Sequence, residues 1–503
     1  MTSTELRAEG PQGETAPIQA TSRGEPSKWA VLVIVAVGVF MATLDSSIVN
    51  ISLPSIAHYF GVPLSGSVEW VIIAYLVVVA ALLLSIGRLA DLIGHKAIWS
   101  AGLVIFTVGS ALCGLAPTLL ALVAARGFQG VGGALLMAVS PVMLTSAFPP
   151  RERGRALGLN AVVVALGVSV GPTVGGFLTE QFTWRAIFYV NLPIGVIGFI
   201  ATILVLRENA ARKRTRLDIW GAVLLAVGLA TLTLGLSFGT EWGWDSPQLI
   251  VCLATAVVAL VALVIVERRV PSPTVDFSLL RNRVFASANV SLILSFLALF
   301  AVSFLLPFYL EELRGYSAEQ AGLLLTPLPL TIAVVAPWSG ALADRIGTRW
   351  LASVGLALAC LGLVLISQLG PDTSVPDIIW RLCVTGLGQG LFQSPNNSAL
   401  MGAAPRERQG TASGFLATGR VMGQSVSVAL AGAIFTGAGA ALAGSQLAAI
   451  HAGQGASPAQ NAALQQTFVS GFHSAFLVCA AIAAIGVLTS LVRGSERRGA
   501  AGG

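Results

Sequence analysis

Long apolar segments alternate with short polar breaks along most of the chain. An apolar segment of about 20 residues can cross the hydrocarbon core of a bilayer as a single helix. We therefore predict an all-α, multi-pass protein of the cell membrane, in direct contact with the lipid bilayer. The pattern gives fourteen transmembrane helices, at residues 29–51, 67–87, 97–116, 118–142, 156–178, 186–206, 217–239, 248–267, 284–309, 319–341, 350–369, 377–402, 411–436 and 470–492.

The composition agrees with a membrane protein. Hydrophobic residues make up 55% and charged residues 10% of the 503 residues, and the mean hydropathy is +0.82. Charged residues reach about 25% in soluble domains. The five cysteines are scattered singly and show no metal-ligand spacing, so the sequence predicts neither a metal site nor another cofactor.

The positions of the basic residues predict the orientation. Lys and Arg near the ends of spans are retained in the cytoplasm, and most of the 29 Lys and Arg residues fall on one side when the N-terminus is placed inside. Both tails, residues 1–27 and 494–503, are then cytoplasmic, and the polar N-terminal tail is expected to be disordered. The net charge of +6 reflects this topology and does not indicate nucleic-acid binding.

The second half of the chain repeats the first. Residues 87–96 recur as residues 340–349, and the tetrapeptide Pro-Arg-Glu-Arg at 150–153 recurs at 405–408, at offsets of 253 and 255 residues. Three landmarks in the same order, including an arginine inside the fourth span of each half, indicate two homologous units that run in the same direction.

The repeat predicts the domain organisation. Residues 28–206 and 284–493 should each form a six-helix bundle, and residues 207–283 should form a basic linker and two added helices. Two parallel bundles around a central cavity are typical of transporters that work by alternating access. Residues 437–467 are interpreted as an outer loop of unknown role, with room for part of it to be helical.

A glycine ladder with one proline lies in the fifth predicted span. Glycines every four residues form a bare stripe against which another helix can pack closely, and a proline removes one helical hydrogen bond and favours a bend. We interpret the ladder as a gating element that closes the N-terminal side of the cavity, the alternative being a packing face alone. Its members are Gly167, Gly171, Pro172, Gly175 and Gly176, and the second half has Ser427 and Val428 in place of the two central ones.

Asp45 is the one carboxylate that the predicted spans place well inside the membrane. An acid at this depth is costly unless it is neutralised or paired. Counted at 1.5 Å per residue, Asp45 and Arg126 both lie roughly 10 to 12 Å below the outer surface, so they can interact if their helices face one cavity. We predict that this pair couples transport to protons, because protonation of Asp45 would release Arg126. The alternative is a static salt bridge.

The remaining polar residues in or near the spans divide into two groups. A latch at the cytoplasmic face is predicted from the repeated loop, the alternative being a plain charged turn, and its candidate residues are Gly87, Asp91, Gly94, Lys96, Asp344 and Arg345. Contacts to a substrate in the cavity are predicted for Asn50, Gln129, Arg381, Arg420, Asn396 and Asn397, although hydrogen bonds between helices or extension toward the interface explain such residues equally well.

These motifs together resemble the major facilitator superfamily, and within it the fourteen-helix drug:proton antiporters. The resemblance extends from Trp29 to Arg493, although Leu92 and His95 replace basic residues that are usual in the first copy of the loop. The segments that carry it are residues 44–54, 87–96, 126–130, 167–176 and 184–193.

The resemblance implies a proton-driven antiporter that exports lipophilic or cationic small molecules and functions as a monomer. A proton symporter or facilitator of the same fold, importing a small molecule, is the alternative. An enzyme is not expected. Residues 167–171 do match the pattern Gly-x-Ser-x-Gly, but here the pattern lies within a predicted membrane helix, whereas the catalytic form needs a strand–turn–helix.

Overall fold

The computed structural model describes residues 27–62, 66–149, 152–206, 219–269, 278–405 and 408–493. Within these ranges every regular element is a helix. The predicted linker at 207–216 and almost all of both predicted tails lie outside them. The helices of the predicted N-terminal bundle are α1 (Lys28–Phe60), α2 (Gly66–Ile93), α3 (His95–Leu115), α4 (Leu119–Ala147), α5 (Arg153–Gln181), α6 (Ala186–Tyr189) and α7 (Asn191–Val205).

The chain continues through the added pair, α8 (Ile219–Trp242) and α9 (Pro247–Arg269). The helices of the predicted C-terminal bundle are α10 (Arg283–Phe308), α11 (Ala318–Leu325), α12 (Pro327–Ile346), α13 (Thr348–Ser367), α14 (Val375–Gly402), α15 (Gln409–Gly437), α16 (Ala440–His451) and α17 (Pro458–Leu491). A π-helical segment, Tyr309–Leu313, extends α10 by more than one turn.

A helix occupies each of the fourteen predicted positions, but not every helix has the composition of a membrane span. In the described part of the chain, twelve helices are long and apolar enough to cross a bilayer, and α15 with α16, bent by 76°, makes a thirteenth if the two count as one span. Helix α14 is 28 residues long but carries more polar residues. The multi-pass architecture is confirmed, and the number fourteen and the cytoplasmic termini stay predictions.

The segment at 437–467 is more ordered than the sequence suggested. Gly439 has a left-handed backbone with φ of 75°, which ends α15 and allows α16 to begin in a new direction. Ser457 then caps α17, since its side chain accepts a hydrogen bond from the Gln460 N–H, and Pro458 occupies the first helical position. The predicted outer loop is therefore mainly helical.

Corresponding helices pack in corresponding ways in the two halves. A Cβ atom placed on Gly132 of α4 would lie 2.4 Å from the backbone N of Phe106 on α3. In the second half, a Cβ atom on Gly388 of α14 would lie 2.2 Å from the backbone N of Ala359 on α13. At both crossings the two backbones approach closely at a glycine. This is common between membrane helices, whose association depends on close van der Waals packing and not on the hydrophobic effect.

The two halves meet along a seam on the predicted outer side, the side that carries the connections from α1 to α2 and from α10 to α11. Here α5 contacts α11: a Cβ atom on Gly176 would lie 2.2 Å from the Ala318 carbonyl oxygen, and one on Gly322 would lie 2.1 Å from the Pro172 carbonyl oxygen. Helices α2 and α15 pack together on the same side, and α8 packs against both. We call these contacts the outer seam. It is closed in this structure.

Candidate functional site

Asp45 and Arg126 form an ion pair inside the N-terminal bundle. The Arg126 Nη1 atom lies 2.6 Å from Asp45 Oδ2, and the two side chains are 1% and 0% exposed. Asp45 comes from the middle of α1 and Arg126 from the outer half of α4. The contact predicted from their depths in the membrane is confirmed, but the pair is buried among helices of one bundle and does not face the space between the two bundles.

Two amides complete the shell around the Asp45 carboxylate. Gln129 Nε2 and Asn191 Nδ2 each donate to Asp45 Oδ1 at 2.8 Å, and Gln129 Oε1 accepts from Arg126 Nη1 at 2.6 Å. Ser110 of α3 accepts from Gln129 Nε2 at 2.7 Å. Gln129 was predicted to contact substrate. In this structure one turn of α4 places it beside Arg126 within the buried cluster, and contact with a substrate stays a prediction.

Arg126 is also held on the side away from Asp45. Its Nε atom donates to the Val71 carbonyl oxygen of α2 at 2.9 Å, and its guanidinium carbon lies 4.5 Å from the centre of the Tyr75 ring. Breaking a buried ion pair by removing one charge typically costs about 3–5 kcal/mol, because the other charge stays buried without compensation. Protonation of Asp45 would have this effect on Arg126, and α1, α2 and α4 would have to adjust together.

The glycine ladder packs on the same stretch of α1 that carries Asp45. A Cβ atom on Gly167 would lie 2.2 Å from Thr43 Oγ1, and one on Gly171 would lie 1.7 Å from Ser47 Oγ. One on Gly175 would lie 2.6 Å from Ile48 Cγ1. The bare stripe predicted from the sequence therefore exists, and it brings α5 against the two turns of α1 on either side of Asp45.

Pro172 has a specific consequence for this contact. In a regular helix the carbonyl of Val168 would accept a hydrogen bond from the N–H of residue 172, but proline has none. Ser47 Oγ donates to that carbonyl at 3.1 Å instead. The proline thus converts a hydrogen bond within α5 into one between α1 and α5.

The far end of the ladder reaches the outer seam. Gly176 and the carbonyl of Pro172 contact α11, as described above, and the hydroxyls of Thr173 and Thr326 lie 2.7 Å apart across the seam. One helix therefore joins the α1 segment around Asp45 to the closed outer side. This arrangement supports a gating role for the ladder, which stays a prediction.

Two predicted cavity residues are occupied by structural contacts. The Arg381 guanidinium bonds Asp377, one turn earlier in α14, at 2.8 Å and 3.1 Å, and the Leu365 carbonyl at 2.7 Å. Asn396 is fully buried, donates to the Ala288 carbonyl at 3.0 Å and accepts from Arg493. Both residues join helices within the C-terminal half, as the structural alternative describes, and their contact with a substrate stays a prediction.

Three predicted cavity residues keep free hydrogen-bonding capacity. The side-chain oxygens of Asn50 and Asn397 are buried without a partner in the described part of the chain, and so is Arg420 Nε. Arg420 lies 5.4 Å from the Phe296 ring and forms no ion pair with any described residue. These groups lie on α1, α14 and α15, and their contact with a substrate stays a prediction.

The predicted latch is only partly visible. Gly94 and Gly347 have φ of 116° and 94° at the two equivalent turns, so both copies need glycine there. Lys96 contacts its own bundle in this structure, because its Nζ atom caps the end of α7 by donating to the Ile203 and Leu206 carbonyls at 3.2 Å and 2.5 Å. A role of Lys96 in the latch stays a prediction. Arg345 is exposed, and the side-chain surroundings of Gly87, Asp91 and Asp344 lie outside the described residues.

Sequence reasoning missed several buried polar residues. Asn191 and Ser110 were not assigned a role, although Asn191 lies in a segment that carries the family resemblance. Asp45 is also not the one carboxylate inside the protein: Glu69 on α2 is 0% exposed and Glu312 in the π-helical segment is 7% exposed. Glu69 is the third residue of its predicted span and was assigned no role. Glu312 was placed beyond the end of its span, which in fact continues.

The architecture and the site define a class. Long apolar helices, two repeated halves that meet at a closed seam and a buried acid–base pair within one half are features of a membrane transport protein and not of an enzyme. Among the described residues, no group of three His, Cys, Asp or Glu side chains is placed to hold a metal ion.

Comparison with known proteins identifies the family. Residues 35–428 match the sequence profile of the Major Facilitator Superfamily, and the chain belongs to this family. It is 36% identical over 410 residues to the riboflavin transporter RibZ of Clostridioides difficile, covering 81% of this chain and 88% of that one. It is 35% identical over 404 residues to the multidrug resistance protein Stp of Mycobacterium tuberculosis strain H37Rv, covering 80% and 75%.

A solved structure has the same fold. It is a bacterial homologue of the human lysosomal transporter Spinster in an inward-facing and occupied conformation. The TM-score is 0.68 with 17% sequence identity, over 93% of this chain and 97% of that chain.

Proposed function

We propose that this transporter is a proton-coupled antiporter that exports drug-like small molecules across the plasma membrane by alternating access. The observation that carries the proposal is the Asp45 carboxylate, buried in the N-terminal bundle with Arg126, Gln129 and Asn191 around it. The cation beside this carboxylate, Arg126, is also held by several other groups. Asp45 can therefore bind a proton and give up the ion pair, so the protein has an ion-paired state and a protonated state that differ in helix packing.

The proposed cycle begins with the outer side open. A proton from outside neutralises Asp45, and the loss of the ion pair shifts α4 and α2 against α1. Because α1 is bonded to α5 through Ser47, and α5 contacts α11 at the outer seam, this shift favours closure of the seam and opening to the cytoplasm. Asp45 then releases its proton inside. Each unit of pH difference supplies about 1.4 kcal/mol and each 100 mV about 2.3 kcal/mol per charge moved.

The proposed substrates are lipophilic or cationic small molecules, held between the two bundles by Asn50, Asn397 and Arg420 and handled by a single chain. The relative named as a multidrug resistance protein favours export of drugs. Proton coupling supplies the energy, so we propose no cofactor.

Everted membrane vesicles with an acidic interior test the proposal. Addition of substrate should release protons from vesicles that contain the wild-type protein, and a pH-sensitive dye measures this release. A panel of one lipophilic cation, one neutral compound and one anion distinguishes substrate classes. Asp45→Asn should abolish proton release, and Asp245→Asn, an exposed acid in the loop after α8, is the matched control. Full proton release from Asp45→Asn would remove Asp45 from the mechanism.

A second candidate is a proton symporter that imports a small molecule. The observation in its favour is the 36% identity to a relative named as a riboflavin transporter. The same vesicles separate the two candidates, because an antiporter moves substrate inward as protons leave. A symporter would carry protons and substrate together in one direction.

A further inference from the structure

The carboxyl group of Glu69 is buried where three helices meet at the outer seam. Glu69 lies in the first turn of α2 and is 0% exposed, and its carboxyl group forms no ion pair in the described part of the chain. The Ser237 hydroxyl of α8 lies nearby but forms no well-directed hydrogen bond with it. The proposed transport cycle does not use this residue. A buried acid without a cation beside it is rare in proteins and needs an explanation.

The carboxyl group touches the backbone of the opposite half. A Cβ atom placed on Gly432 of α15 would lie 1.8 Å from Glu69 Oε1 and 2.5 Å from its Cδ atom. Helix α8 covers the same place: a Cβ atom on Gly66, at the start of α2, would lie 2.7 Å from the Ser237 carbonyl oxygen. Glu69 is thus enclosed by α2, α8 and α15, and it fits only because α15 has a glycine opposite it.

The charged groups on the surrounding helices do not neutralise Glu69. Glu241 of α8 adds a second negative charge nearby. Arg126 of α4 reaches α2 at Val71 but is already paired with Asp45, as described above. The charged residue of α15 is Arg420, which is twelve residues from Gly432 and so about 18 Å away along the helix.

The balance of these effects decides which form of the acid the closed seam accepts. An ionised carboxylate buried without a cation beside it is strongly disfavoured. The positive end of α2 and the nearby Ser237 hydroxyl offset only part of this cost, and Glu241 acts in the opposite sense. The closed seam therefore tolerates the neutral acid, whereas the ionised acid is stabilised only when α2 and α15 separate and water enters.

We propose that Glu69 is a second proton-binding site, at which a proton from outside allows the outer seam to close and loss of that proton opens it. Because Glu69 lies near the outer end of α2, its proton enters from the outer solution and returns to it. This site adjusts the cycle proposed above and rests on that proposal for its biological meaning. Its physical behaviour can be tested without transport.

Distance measurement across the seam tests the proposal. Spin labels at Phe182 and Gln320, exposed residues at the outer ends of α5 and α11, report the separation of the two halves in lipid nanodiscs. The labelled protein has its native cysteines replaced. In the otherwise wild-type chain, the ratio of open to closed populations should rise with pH, by up to about tenfold per pH unit for a single titrating group. Glu69→Gln should stay more closed than the wild type at high pH. Asp45→Asn, measured beside it, separates the response that the proposed cycle assigns to Asp45.

Two further variants make the test specific. Asp245→Asn removes an exposed acid from the outer side and should titrate as the wild type does. Gly432→Ala introduces the Cβ atom that clashes with the carboxyl group, and it should increase the open population at every pH. If Glu69→Gln does not fold, Gly432→Ala alone tests the proposal. A Gly432→Ala protein whose seam stays closed and whose pH dependence equals that of the wild type would overturn it.

The result is independent of the proposed function. A distance that changes with pH in the wild type but with the same midpoint and amplitude in Glu69→Gln would overturn the role of Glu69, and so would a wild-type distance that does not respond to pH. Because the measurement needs neither substrate nor gradient, absence of proton-driven efflux would count against the antiporter and leave the Glu69 result standing.

Discussion

Replacement of Gly171 by alanine tests the contact between α1 and α5 most directly. The added Cβ atom would lie 1.7 Å from Ser47 Oγ, 2.9 Å from Ser47 Cβ and 3.2 Å from the backbone N of Ile48. Rotation of the hydroxyl can relieve the shortest of these contacts, but the Val168 carbonyl then loses its donor. The contact to the Cβ atom of Ser47 can be relieved only by movement of the helices.

The expected cost has two parts. Overpacking of a tight contact costs about 1–3 kcal/mol, and a buried carbonyl left without a donor costs about 1–3 kcal/mol. Alanine is better than glycine in a helix by about 1 kcal/mol, which offsets part of this. We therefore expect Gly171→Ala to lower the free energy of unfolding by about 1–5 kcal/mol and to loosen the outer seam, so that protons leak across the membrane.

Thermal unfolding of the purified protein and passive proton entry into liposomes measure these two effects. Gly158→Ala is the matched control, because Gly158 lies in the same helix and nothing lies within 4 Å of a Cβ atom placed there. Ser47→Ala removes the hydroxyl that donates to the Val168 carbonyl but adds no atom to the contact. It should therefore show only the cost of the carbonyl left without a donor. A Gly171→Ala protein as stable and as tightly coupled as Gly158→Ala would refute the reasoning and reduce the ladder to an ordinary packing face.

Two other substitutions separate structural from gating roles. Lys96→Met removes the hydrogen bonds to the last carbonyls of α7. It should lower the free energy of unfolding by about 0.5–1.5 kcal/mol, measured by thermal unfolding, while transport of substrate continues. Loss of transport with unchanged stability would instead support a role of Lys96 in the latch. Gly388→Ala places a Cβ atom 2.2 Å from the backbone N of Ala359 and should destabilise the C-terminal half by more than about 1 kcal/mol, the lower limit for overpacking. Gly402→Ala is the control, because nothing lies within 4 Å of a Cβ atom placed there. Equal melting temperatures of the two variants would contradict this packing.

The Asp45–Arg126 pair could be predicted because depth in a membrane is close to a linear function of residue number. Helical rise fixes how far each residue lies from the end of its span, and two isolated charges of opposite sign at one depth have few other partners. The glycine ladder could be predicted for a similar reason, since a spacing of four residues fixes one face of a helix. Both predictions rest on local geometry.

The amides around Asp45 could not be assigned in the same way. Whether Gln129 points toward Asp45 or toward the cavity depends on the rotation of α4 about its own axis, which neighbouring helices determine. Asn191 lies at the break between α6 and α7, where helical periodicity no longer gives the direction of a side chain. Rotation and breaks depend on packing across the whole bundle.

The repeat was informative about position and misleading about role. Arg381 occupies the place of Arg126, but the residue 255 positions after Asp45 is Phe300, so the second half lacks the matching acid. Arg381 instead bonds Asp377 within its own helix. Equivalent positions in a duplicated fold share a backbone environment, whereas the partner of a charge depends on residues that have since diverged.

The position of α8 bears on how compounds dissolved in the membrane reach the protein. Its outer half contacts α2 at Ser237, and a Cβ atom on Gly437, at the end of α15, would lie 3.2 Å from Thr240 Cγ2. The added helix therefore lies over the line where α2 and α15 meet, between that line and the outer leaflet. A lipophilic molecule diffusing in that leaflet meets the surface of α8 first, so α8 covers the sideways entry between these two helices in this structure.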